Sequence, residues 1–243
     1  MMMNPNPPTM NLCLTCRRRI LTCVCRKIKP FSTESRFIIL MHPMEFKKEK
    51  VGTGRFSHLI LKNSEVIVGI SFDEDQRLNE LLEDEEYETF LLYPGHETID
   101  LGGNLLKEKL QKRAQFIVLD GTWPCAKKMM KLSPLLHHLP RVSFQSQRVS
   151  EFKIKHQPMP GCLSTVESIH QVILELNRMG LENTHFFHDN LMDVFRYTVH
   201  QQLELAQDPS RPGYRKKPFS SPETRQQSKK WQDRLLFFKS DKL

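Results

Sequence analysis

Asp120, Gly121, Thr122, Trp123 and Pro124 follow directly on the apolar run Phe116 to Leu119. A strand-forming segment therefore delivers a carboxylate, a hydroxyl and an indole to one turn. A plain strand-to-helix loop accounts for four of the five residues. Asp and Gly make turns, Thr caps, and Pro opens a helix. It does not account for Trp123, a large aromatic in a tight loop. A ligand site does, because open α/β sheets bind ligands at the carboxyl ends of their strands.

A second group has the spacing of a metal site. Cys13, Cys16, Cys23 and Cys25 form a CxxC followed by a CxC, with Cys125 and Cys162 standing apart. Two close thiolate pairs joined by a short loop suit a structural Zn2+ with four sulfur ligands. The readings set against zinc are a disulfide or redox pair, disfavoured in a reducing compartment, an iron–sulfur cluster, and no metal at all. A closed four-sulfur site has no open position, so zinc here orders the chain and does no chemistry. Arg17, Arg18, Arg19, Arg26 and Lys27 are expected to lower the thiol pKa values. They leave the knuckle basic enough to touch a phosphate backbone.

The elements that must carry these groups are legible as alternating patterns. Apolar runs at 36–42, 65–70, 89–94, 115–120 and, more weakly, 141–144 predict strands. Helical periodicity falls between them at 75–86, 105–113 and 124–132. Two longer helices follow at 164–180 and 184–206. The first has a capping box of Ser164 with Glu167 and a Gly180 stop. Continuous rather than alternating apolar runs fit strands buried on both faces, hence an α/β domain with a mainly parallel sheet and flanking helices. The expected organisation is a disordered 1–11, a zinc knuckle over 12–30, an α/β catalytic domain over 31–206 and a basic, flexible tail over 207–243 with a short helix at Trp231 to Phe238.

Composition narrows the partners. The 243 residues carry 36 Lys and Arg against 28 Asp and Glu, a net charge of +8. That balance favours a polyanion, most commonly nucleic acid. No apolar run approaches the ~20 residues that span a bilayer, and the N-terminus lacks the pattern of a secretory signal. The expectation is a cytoplasmic protein with no membrane association and no obligate protein partner evident.

Four segments fall where a parallel sheet would present them along one edge: His42 to Arg55, Leu92 to Glu97, Asp120 to Pro124, and Pro160 to Ser168. The last leads into the capped helix, whose first N–H groups form an anion site. Together these segments resemble the DTW-domain family. The likeness rests on Asp120-Gly121-Thr122-Trp123, the cysteine pairs, His42 to Glu45, Thr53 to Arg55, Tyr93 to Gly95, and Leu163 to Glu167, and it covers roughly 12–205. Where an arginine is expected shortly after Glu45, this chain has Phe46, Lys47 and Lys48.

The resemblance implies a SPOUT-like, knotted α/β fold and a tRNA-uridine aminocarboxypropyltransferase. The implied reaction moves the 3-amino-3-carboxypropyl group of S-adenosyl-L-methionine to N3 of a uridine in tRNA and releases methylthioadenosine. Asp120 would take the N3 proton, attract the sulfonium, or simply cap the helix. Trp123 would stack on the uracil, or lie under the loop as core, and Thr122 would orient Asp120 or hold a backbone group. Leu92, Tyr93, Pro94 and Gly95 would hold the adenine or ribose. Leu163, Ser164, Thr165 and Glu167 would hold the cofactor's carboxylate, with Glu167 equally suited to a plain capping box. His42 and Arg55 would contact substrate phosphate or ribose. The rival readings are an RNA methyltransferase of the same fold and a non-catalytic zinc-containing RNA-binding protein.

Overall fold

The computed structural model describes residues 12–48, 52–95, 97–144, 149–154 and 162–211. The segment 1–11 and the tail beyond 211, with its expected short helix, lie outside those residues. Two single 3-10 turns, Ile20–Thr22 and Cys25–Lys27, shape the N-terminal knuckle. In chain order there follow β1 (Arg36–Met41), α1 (Pro43–Lys48), α2 (Thr53–Ile60), β2 (Ser64–Val68), α3 (Gln76–Leu82), β3 (Tyr87–Leu92), β4 (Thr98–Asp100), α4 (Leu105–Lys109), β5 (Arg113–Asp120), α5 (Trp123–Leu132), β6 (Arg141–Ser143), α6 (Thr165–Met179) and α7 (Asp189–Gln207).

The six strands form one sheet in the order β2-β1-β5-β3-β6-β4, and every pairing is parallel. The α/β fold with a parallel sheet and flanking helices is therefore as the apolar runs predict. Successive residues of a strand face opposite sides, so a sheet covered on both faces needs apolar residues at every position. In β1, Phe37 and Ile39 face a core shared with α2, α6 and α7, while Ile38 and Leu40 face a second core under α3 and α5. Phe116 stacks on Phe37 at 5.6 Å within the first of these.

Three local features depart from what the sequence pattern suggests. The strand β4 has only three residues and no apolar run, so periodicity could not find it. The Gly-Thr-Gly-Arg stretch is not a turn. Thr53 opens α2, whose Phe56, Ser57 and Ile60 are buried. Glycine disfavours helix locally, and packing of that face overrides the propensity. The last helix starts at Asp189 rather than Thr184, because His185 and Phe186 adopt positive φ of 46° and 65° and break it.

The knuckle is seated on the first core through Cys16 and Val24, both buried. Asn190, in the first turn of α7, fastens it by accepting from the Lys29 N–H at 2.8 Å and donating to the Lys27 carbonyl at 3.0 Å. Arg18 is buried as well, with Nε donating to the Thr22 carbonyl at 2.7 Å and Nη2 to Gln201 at 3.4 Å.

Candidate active site at the carboxyl edge of the sheet

Asp120 is the last residue of β5, the strand between β1 and β3, and is only 3% exposed. Its register partner is Met41, so β1 ends beside it, and the His42 N–H donates to the Asp120 carbonyl at 2.9 Å. The Thr165 hydroxyl, at the first turn of α6, donates to Asp120 Oδ1 at 2.5 Å. Oδ2 lies against α2, where a Cβ on Gly54 would sit 2.6 Å from it. Gly54 thus makes room for the carboxylate, which accounts for a poor helix former inside α2. His42, Gly54 and Thr165, from three other segments of the chain, thus meet at this one residue.

Thr122 does not meet Asp120. It precedes α5 in extended conformation, and its hydroxyl donates to Cys125 Sγ at 3.1 Å. The expected Thr122–Asp120 contact is made by Thr165 instead. Trp123 opens α5 half-buried, with its ring 6.4 Å from that of Tyr93 at the end of β3. An indole wholly under the loop would be buried, whereas this one keeps part of its surface open.

Leu92 to Gly95 continue β3 at the same edge, with the Tyr93 N–H donating to the Val142 carbonyl at 3.2 Å. Pro94 is exposed and Gly95 half-buried. A Cβ on Gly95 would lie 2.7 Å from Arg141 Nη1, and the same guanidinium stands 5.8 Å over the Tyr93 ring. Arg141 stands at the same edge as Tyr93 and Gly95, and the sequence did not single it out. It belongs to a short, weakly apolar strand and carries no motif.

At the start of α6, Leu163 is half-buried, and Ser164 and Glu167 are buried. Glu167 is a capping box: its carboxylate accepts from the Ser164 N–H at 2.8 Å and the Ser164 hydroxyl at 2.5 Å. It also fastens the segment 149–154, accepting from the Ser150 hydroxyl at 2.8 Å and the Glu151 N–H at 2.7 Å. The positive end of α6 therefore already faces two carboxylates, Glu167 directly and Asp120 through Thr165.

His42 is buried beside Asp120, and its Nδ1 accepts from the Met44 N–H at 3.2 Å. Arg55, half-buried in α2, donates from Nη2 to the Phe46 carbonyl at 2.8 Å and stands 4.8 Å over the Phe46 ring. Burial holds its pKa below the ordinary arginine value, the nearby Arg17 charge lowers it further, and Asp120 opposes both. Arg17 stands over the same ring at 4.7 Å. Phe46 lies within the His42 to Arg55 segment expected at this edge, whereas Arg17, from the knuckle, was expected only as a lone phosphate contact.

The four knuckle thiols fit a tetrahedral metal. Their sulfurs all lie within 4.8 Å of one another, with Cys13 to Cys25 at 3.6 Å and Cys16 to Cys23 at 3.7 Å. A tetrahedron with metal–sulfur bonds of ~2.3 Å has edges of about 3.8 Å. Cys13 is lowered to about 6, first by the Cys16 backbone N–H and also by that of Thr15, not by the arginines as expected. Burial and the neighbouring thiols push Cys25 up to about 12. So crowded a set cannot ionise fully without a cation among it. Among the described residues the other group of this kind is His170, His188 and Asp189. There Asp189 faces His170 at 3.3 Å, and the Thr184 hydroxyl meets His188 Nδ1 at 2.5 Å.

The family model described as the DTW domain matches residues 10–203. Among curated proteins, tRNA-uridine aminocarboxypropyltransferase 2 of Drosophila melanogaster is 31% identical over 180 residues, which cover 70% of this chain and 68% of the fly protein. The Macaca fascicularis protein of the same name is 27% identical over 170 residues, 68% of this chain and 57% of its own length. Its Mus musculus counterpart is 26% identical over the same shares. No solved structure matches the chain.

Proposed function

The chain belongs to the DTW domain family, and we propose that it is a tRNA-uridine aminocarboxypropyltransferase that alkylates N3 of a uridine. The observation that carries this reading is the convergence of Asp120, His42, Thr165, Trp123 and the Tyr93 loop at the carboxyl ends of three adjacent strands. A binding module has no need to bury a carboxylate at that edge and clear Gly54 away from it.

S-adenosyl-L-methionine would supply the group, bonded through Cγ to a sulfonium that leaves as methylthioadenosine. The chain's own residues must do three things. Asp120 takes the uracil N3 proton as the N3–Cγ bond forms and the Cγ–S bond breaks, so a neutral thioether and a protonated carboxyl result. The Thr165 hydroxyl holds Oδ1 and leaves the carboxylate one fixed orientation, which is what a general base needs. Trp123 offers its open face to a uracil held out of the tRNA stack.

Leu92, Tyr93, Pro94 and Gly95 supply the wall for adenine or ribose, with Arg141 the cation beside it. Two carboxylates already face the α6 N-terminus, and a third would be repelled there. We therefore assign the cofactor's carboxylate to Arg141 and give Ser164 and Glu167 an indirect role, holding Leu163 and Thr165 in place. His42 and Arg55 flank the substrate side. The knuckle, with zinc, is structural, and a tRNA substrate supports a cytoplasmic location.

The test is nucleoside mass analysis of unmodified tRNA incubated with zinc-loaded protein and S-adenosyl-L-methionine. A uridine carrying the aminocarboxypropyl mass, with methylthioadenosine released, is the expected result. A methyl-sized increment with S-adenosylhomocysteine would make it a methyltransferase instead.

A further inference from the structure

Arg17 and Arg18 are neighbours with opposite fates. Arg18 is buried and holds the knuckle together, while Arg17 is exposed. The separation comes from backbone geometry. Arg17 has φ of +55°, its N–H donates to the Cys13 carbonyl at 2.8 Å, and the Cys13 N–H donates to the Arg18 carbonyl at 2.7 Å. A non-glycine residue in this region costs on the order of 1–2 kcal/mol and persists only where its surroundings enforce it. Here the enforcing frame is the Cys13–Cys16 loop, whose two sulfurs belong to the metal set.

That frame sends Arg17 out of the knuckle to the Phe46 ring, which Arg55 also occupies from α2. Two cations on one ring, with the Arg17 charge disfavouring that of Arg55, are unfavourable unless an anion joins them. Among the described residues neither guanidinium forms an ion pair. Guanidinium forks are matched to phosphate oxygens, and an aromatic plane fixes their orientation. Arg55 also feels the Asp120 charge, so the pair lies at the border of the catalytic edge.

We propose that Arg17 and Arg55, set on the Phe46 ring, form a pincer for a tRNA phosphodiester next to the target uridine, and that the metal-bound knuckle positions its outer arm. This rests on the tRNA reading above. It makes the knuckle part of the substrate site, with Arg17 a specificity and positioning residue supplied by the metal frame.

The test compares Arg17→Gln with Arg19→Gln in zinc-loaded full-length protein. Both remove one positive charge from the same knuckle, and Arg19 is exposed while the cations over the Phe46 ring are Arg17 and Arg55. Affinity for unmodified tRNA is measured across a salt series, with metal content checked for each variant. Arg17→Gln is expected to weaken binding about tenfold and to reduce the slope of log K against log salt by ~0.7–0.9, the increment of one phosphate contact. Arg19→Gln stays within about twofold, Phe46→Leu reproduces most of the Arg17→Gln loss, and chelated wild type binds like zinc-loaded Arg17→Gln.

Equal losses for the two arginine variants would overturn the pincer, as would a lost affinity for S-adenosyl-L-methionine with tRNA binding intact. Neither result touches the proposed activity if wild type still modifies tRNA. Wild type that shows no salt-dependent tRNA binding would overturn both.

Discussion

The knuckle and the Asp120 edge are both clusters of polar groups on a hydrophobic base, but they are assembled in opposite ways. The knuckle collects its four sulfurs from thirteen consecutive positions, using short turns and local N–H groups. The edge collects Asp120, His42, Gly54 and Thr165 from four elements across the sheet. The first is a compact set whose sulfurs could share one ion, fastened to the body through Asn190, Cys16 and Val24. The second is held by what packs beneath it: Phe37, Ile39 and Phe116 fix the strand ends before any side chain is placed. A local site should therefore fail with its ion and leave the sheet standing, whereas a dispersed site should fail by small displacements that leave the fold unharmed.

The largest effect tests the knuckle. Cys16→Ala, or chelation, should abolish metal binding, which in small zinc modules carries roughly 10 kcal/mol of folding free energy or more. Hydrogen exchange should then strip protection from the Arg17 and Cys13 amides while the β1 and β5 amides stay protected. Loss of protection throughout the sheet would mean that the two regions are one cooperative unit.

Next comes the edge. Asp120→Asn keeps the shape and removes the base, so turnover should fall by about 10²–10⁴ with the melting temperature and tRNA affinity near wild type. Undiminished turnover would remove Asp120 from the chemistry. Gly54→Ala should cost about 1–3 kcal/mol in a denaturant titration, because the new methyl meets Asp120 at 2.6 Å and Ile39 at 3.1 Å. That cost has to exceed the ~1 kcal/mol that alanine gains over glycine inside a helix. A more stable variant would show that the carboxylate can move aside, and the fixed-base geometry would go with it.

The smallest effect concerns pH. In the metal-free knuckle Cys25 is pushed up to about 12 and Cys13 is lowered to about 6. A metal must displace the Cys25 proton at neutral pH, whereas Cys13 is already largely ionised there. Apparent zinc affinity should rise with pH by about tenfold per unit for each proton released, with Cys13 adding its share only as pH falls through about 6. A competition titration against a chromophoric chelator between pH 6 and 8 reads this slope. A flat profile would mean that the thiols are ionised before the metal arrives.

Much of the fold was legible because its signals are local. Five strands announced themselves as apolar runs, and Ser164 with Glu167 marked the start of α6. The two buried faces of β1 follow from an unbroken RFIILM. What escaped did so for physical reasons. β4 is too short to carry a pattern, and α2 begins with residues that prefer turns. Glu167 could be read as a cap or as a ligand until its four hydrogen bonds were seen. Thr165 rather than Thr122 holds Asp120, since a hydroxyl two positions from Asp120 is closer in sequence than one 45 positions away that is closer in space.

The sequence by itself determined the four-cysteine cluster, the parallel α/β architecture and the carboxylate at the end of a strand. Each depends on contacts a few residues apart or on burial that a run of apolar side chains must find. Only the tertiary structure decided which hydroxyl holds Asp120, why Gly54 must lack a side chain, and that Arg17 meets Arg55 over Phe46. Those facts depend on the strand order β1-β5-β3 and on the seat of the knuckle against α7. No spacing along the chain encodes a neighbour that the sheet alone brings within reach.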